Sequence, residues 1–111
     1  MKAKPVKLIM GEGYVETSIE EATHVTLHFP GPAGKITLPV IIKGQRNGTP
    51  CWSWNGDVEK PTLRPSVRTT GHHPELGFVS HSWVNDGKVV FLDDCVNCEF
   101  KGQTVDLLDV E

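Results

Sequence analysis

The sequence predicts a mainly β fold, either one small antiparallel sheet or a sandwich, with at most one short helix. Three observations carry this. Gly and Pro punctuate the chain densely, at 11 and 8 of 111 residues, which cuts it into short segments of the kind that turns join. Residues 24–29 alternate cleanly, with Val25, Leu27 and Phe29 on one face and His24, Thr26 and His28 on the other. Asp86-Gly87 stands between two apolar runs, a strong signal for a two-residue hairpin turn.

The elements follow in order. Thr17 or Ser18 caps a turn through Ile19-Glu20-Glu21-Ala22, with the capping-box spacing to Glu20 and Glu21. His24 opens a strand almost at once, so one helical turn or two is expected there. Residues 30–34, Pro-Gly-Pro-Ala-Gly, form a turn. Residues 36–42 are apolar and β-branched, and Pro39 confines them to a sheet edge or a broken strand. Residues 43–50 read as loop. Asn55-Gly56 marks a turn, and Pro61 and Pro65 hold residues 61–66 extended. The best-defined unit is the hairpin over 79–92, whose register pairs Val84 with Val89, Trp83 with Val90, Ser82 with Phe91 and His81 with Leu92.

The length fits one domain spanning 1–111. Hydrophobic residues at 38% and charged residues at 23% argue for a folded core over wholesale disorder. The formal net charge is -3, and the 11 Lys and Arg are scattered without a stripe, so nucleic acid is not favoured as a partner. The charged start lacks an apolar stretch of signal-peptide type, and no apolar run approaches the ~20 residues that cross a bilayer, so a cytoplasmic protein is expected.

Three cysteines in a reducing compartment point to metal or thiol chemistry before a disulfide, and two of them form Cys95-x-x-Cys98. The hairpin register sets His81 near its open end, close to Cys95. His72 and His73 precede a Pro74 and Gly77 that can turn the chain back. His81, Cys95, Cys98 and His73 are therefore the candidate metal ligands, and zinc is the expected metal because it takes four N or S donors tetrahedrally. Against this stands a bland reading: one C-x-x-C pair is only moderately specific, and histidines on a small domain are more often surface groups. Redox chemistry of the pair is disfavoured, since Asp93, Asp94 and Glu99 would raise the thiol pKa and no helix follows. Cys51 reads as a small buried hydrophobe.

Trp52 and Trp54 share one face of a strand. Core is the favoured reading for both; the alternative is an aromatic platform with Arg64 that binds a small, nucleotide-like ligand. The chain has no Walker loop, no G-x-G-x-x-G and no G-x-S-x-G. Ser66 and Ser82 show no evident base–acid arrangement in the sequence that would mark a nucleophile.

Trp54-Asn55-Gly56-Asp57, Lys60-Pro61-Thr62, Pro65-Ser66-Val67, His81-Ser82, Asp86-Gly87, Asp94-Cys95 and residues 102–107, Gly-Gln-Thr-Val-Asp-Leu, occur in that order. Together they resemble a family of short proteins of tailed phages and prophages that has no established function. Some of its members carry names such as ammonia monooxygenase or anaerobic dehydrogenase. The resemblance covers about half the chain, from Trp52 onward. It implies Cys and His pairs brought together by the hairpin. This sequence departs from that pattern at Ser80, which stands where a Cys is expected, and near Asn97, where a His is expected. Cys98 could replace one lost ligand and His72 or His73 the other. The expected function is then a non-catalytic phage-type accessory protein that meets a host or phage protein, with a structural zinc. The competing classes are a metal-dependent, hydrolase-like enzyme on a three-ligand zinc site and a small-molecule binding protein.

Overall fold

In the computed structural model, which describes residues 1–71 and 77–110, the apolar alternation of the sequence is realised as two facing sheets. The strands are β1 (Lys4–Ile9), β2 (Gly13–Glu16), β3 (His24–Phe29), β4 (Gly34–Pro39), β5 (Ser53–Trp54), β6 (Leu63–Gly71), β7 (Phe78–Asn85), β8 (Lys88–Phe91) and β9 (Thr104–Asp106). One sheet has the order β2-β1-β3-β4 and the other β5-β6-β7-β8-β9, and every pairing is antiparallel. Val25, Leu27, Phe29 and Leu38 from the first sheet and Leu63, Val67, Val84, Val89 and Phe91 from the second form one buried cluster. The fold is thus a sandwich whose core lies between inward-facing alternate residues. No helix among the described residues is long and apolar enough to cross a membrane.

The hairpin register is the one the sequence predicts: Ser82↔Phe91, Trp83↔Val90, Val84↔Val89 and Asn85↔Lys88. Asp86 and Gly87 both take positive φ, 52° and 78°, as a two-residue turn matched to strand twist requires. Pro39 ends β4 on an outer edge of its sheet, where its missing N–H costs no ladder bond. The expected helix at 18–22 is a single turn: the Glu21 N–H meets the Ser18 hydroxyl at 3.3 Å, and the chain then enters β3. The cap is used, but nothing propagates from it.

The words around Asn55 are structural. The Asn55 side-chain oxygen accepts from the N–H groups of Asp57 and Thr62, and its amide donates to the Lys60 carbonyl. The Asp57 carboxylate accepts from Glu59 and Lys60 N–H, and these bonds hold its pKa below the usual carboxylate range. The loop then grips the hairpin turn. Asp86 N–H donates to the Thr62 hydroxyl at 2.9 Å, and Gly87 N–H to the Pro61 carbonyl at 2.9 Å. This is how residues 55–62 fix β6 against β7.

Candidate active site

The candidate site lies on the outer face of the five-stranded sheet. β6 and β7 pair regularly from Val67↔Ser82 to Gly71↔Phe78, but their register shifts between Leu63 and Val67. Such an irregularity re-aims side chains near the insertion. Here Val67 faces the core and Ser66, half-buried, faces outward. The backbone at Ser66 is held from within the sandwich: the indole N–H of buried Trp52 donates to the Ser66 carbonyl at 3.2 Å.

His81 lies diagonally across from Ser66 on β7, and their side chains meet. Ser66 Oγ is 3.0 Å from His81 Nε2. On the other side of the ring, His81 Nδ1 is 2.8 Å from Asp94 Oδ2 and 3.1 Å from Oδ1. A carboxylate can only accept, so the ring proton sits on Nδ1 and the Nε2 lone pair is left to the Ser66 hydroxyl. The bond to His81 holds the Asp94 carboxyl below the usual carboxylate range, and the Arg68 charge adds to that. Serine, imidazole and carboxylate thus stand in one hydrogen-bonded chain, the arrangement that activates a serine hydroxyl as a nucleophile. The reading of Ser66 as having no base–acid partners is corrected: the partners arrive through the β6–β7 register and the turn after β8.

Cys95 sets the height of His81. Its Sγ accepts from the His81 N–H and donates to the His81 carbonyl, both at 3.3 Å, while the Leu92 N–H meets the same carbonyl at 2.9 Å. The cysteine therefore ties the segment that carries Asp94 to the strand that carries His81.

Three of the four expected metal ligands, His81, Cys95 and Cys98, lie together. His81 commits both ring nitrogens to Ser66 and Asp94. Cys95 bonds the His81 backbone, and Cys98 lies beside it, both thiols buried and free. Burial above all pushes the Cys98 thiol up, away from thiolate character. His72 and His73 lie outside the described residues. Among the described residues no group of three or more His, Cys, Asp or Glu is arranged to hold a metal ion. Cys51 is buried, as expected. Trp52 is in the core and Trp54 packs against it, while Arg64 stacks over a different ring, Trp83, at 5.3 Å. The three expected platform residues are thus divided between the core and the outer face.

The family model described as "Bacterial ubiquitination-like system serine protease (BubE)" matches residues 2–92. That span contains Ser66 and His81 and ends two residues before Asp94. No curated protein and no solved structure matches the chain.

Proposed function

The chain belongs to the BubE family, and from that premise we propose that it is a serine protease with Ser66 as nucleophile, His81 as general base and Asp94 as the group that orients the imidazole. The observation that carries the reading is the unbroken chain Ser66 Oγ–His81 Nε2, His81 Nδ1–Asp94. Ser66 attacks the substrate carbonyl as its proton passes to Nε2. The imidazolium formed is stabilised by Asp94, which stays ionised, and then returns the proton to the leaving amine. Water repeats the sequence to release the acyl group from Ser66. The family's description names a ubiquitination-like system, so a protein of such a system is the substrate class.

The test is covalent labelling. A fluorophosphonate should add once per chain, on Ser66, as mapped by peptide mass. Ser66→Ala should abolish the adduct, whereas Ser82→Ala, inside the core, should keep it. Labelling that persists after chelation with EDTA fits the triad. Loss on chelation would mean that a bound metal holds the site together, as the structural-zinc reading requires, and failure of the untreated protein to label would support the metal-dependent hydrolase, whose zinc-bound water forms no serine adduct, or the non-catalytic accessory reading.

A further inference from the structure

Beside the triad the same sheet face holds an open cleft of about 460 Å³, lined by Arg64, Trp83, Asn85 and Val90. Arg64 precedes Ser66 by two residues on β6, and Trp83 follows His81 by two on β7. The Arg64 guanidinium lies over the Trp83 ring, 5.3 Å from its centroid. It donates to the Leu63 carbonyl at 2.7 Å, the Val84 carbonyl at 3.2 Å and the Asn85 side-chain oxygen at 2.9 Å. All three acceptors are neutral. Of the five N–H donors of a guanidinium, three are used, leaving two without an acceptor among the described residues. Arg68, the other arginine of this face, differs: its charge is felt by Asp94.

A stacked, triply held guanidinium with spare donors is built for a carboxylate, which its planar fork can meet with two bonds. Trp83, 36% exposed, and half-buried Val90 add an apolar floor for methylene groups. We propose that this cleft binds a carboxylate of the substrate peptide and so sets which bond Ser66 cuts. A peptide lying extended along β7 rises ~3.3 Å per residue, which puts the carboxylate about two residues from the scissile bond. The inference rests on the serine-protease reading, and the experiment separates the two.

Ser66 is labelled with a small fluorophosphonate in the presence of short alanine peptides, acetylated and amidated, that carry either Glu or Gln at spaced positions. The labelling rate without peptide reports the triad alone. With peptide, the Glu series should protect about fivefold more strongly than the Gln series, the order expected for charged hydrogen bonds at an open site. A Gln peptide with a free C-terminus tells a terminal carboxylate from a side chain, because only the former source would then protect. Arg64→Gln should bring the Glu-to-Gln ratio to one. That ratio is read within each protein, so any change in Ser66 reactivity drops out. If Arg64→Gln fails to fold, the Glu-to-Gln comparison on the unaltered protein still decides. Equal protection by all peptides, or no protection by any, overturns the proposal while the serine-protease reading stands. No labelling without peptide overturns both.

Discussion

With its Nδ1–H donated to Asp94 in a hydrogen bond, His81 has one nitrogen left, and Ser66 occupies it. The prediction at this scale concerns the carboxylate. Asp94→Asn keeps the shape but offers an amide, which can donate to Nδ1 and turn the ring to the wrong tautomer. Fluorophosphonate labelling of Ser66 should slow by about a hundredfold or more, within the range ascribed to general-base catalysis. Labelling within twofold of the parent would remove Asp94 from the proposed mechanism. The Asp94 pKa is depressed in the fold. The contribution of its charge is therefore present above the usual carboxylate range and lost only as the pH falls through the lowered value. Near neutral pH the carboxylate is ionised and ready. None of this was legible in the sequence. Ser66, His81 and Asp94 lie on three separate segments, and only the β6–β7 pairing and the turn after β8 bring them together. The proximity of His81 and Cys95 was legible from the hairpin; the bonds of the Cys95 thiol to the His81 backbone were not, because spacing does not specify them.

At the scale of elements, the hairpin was legible because two signals agreed: alternation on both strands and an Asp-Gly pair that tolerates positive φ. The structure adds a second reason for the glycine. A Cβ at Gly87 would lie 3.2 Å from Lys60 Cα and 3.3 Å from the Glu59 carbonyl oxygen, backbone that the Asp57 bonds hold in place. Gly87→Val should therefore lower the thermal midpoint well beyond Lys88→Ala, which removes only an exposed ion pair to Asp106. Equal midpoints would refute the account of the turn. The β1–β2 hairpin was not legible. Leu8, Met10, Tyr14 and Val15 are exposed, so no buried face imposed a pattern on them.

That hairpin does pack Tyr14 edge-on against His24, with ring centroids 5.0 Å apart, and Thr23 Oγ1 lies 2.8 Å from His24 Nδ1. Burial lowers the His24 pKa from its ordinary value. A depressed histidine binds its proton more weakly folded than unfolded. Its contribution is then fully present above about pH 6.5, the unfolded value, and is lost as the pH falls through the lower folded one. The fall in thermal midpoint from pH 7.5 to pH 5.5 should be smaller in His24→Gln than in the parent. Parallel curves for the two proteins would show that His24 does not titrate against the fold.

At the scale of the molecule, the question is whether two sheets behave as one. The site belongs to the five-stranded sheet and the turn that follows β8, yet the sheet's inner face is covered by the other sheet. Leu27 and Phe29 of β3 share a cluster with Leu63, Val84, Val89 and Phe91, and bridges tie His28 to Leu108 and Val40 to Trp52. A β-rich chain of this size has little core to divide, so the two halves should melt together. The chain provides its own reporter, because Trp54 and Trp83 lie on β5 and β7 of the second sheet and Trp52 directly precedes β5. Leu27 is fully buried in the first. Leu27→Ala removes methylenes from a packed cluster at a cost of about 2–5 kcal/mol, which should lower the midpoint by roughly 8–20 °C. If the sandwich is one cooperative unit, tryptophan fluorescence will show that whole shift, in a single transition coincident with far-ultraviolet circular dichroism. The Ser66 adduct should then fail to form over the same lowered temperature range. A tryptophan transition that stays at the parent midpoint while the circular dichroism shifts would mean that the five-stranded sheet stands without its cover.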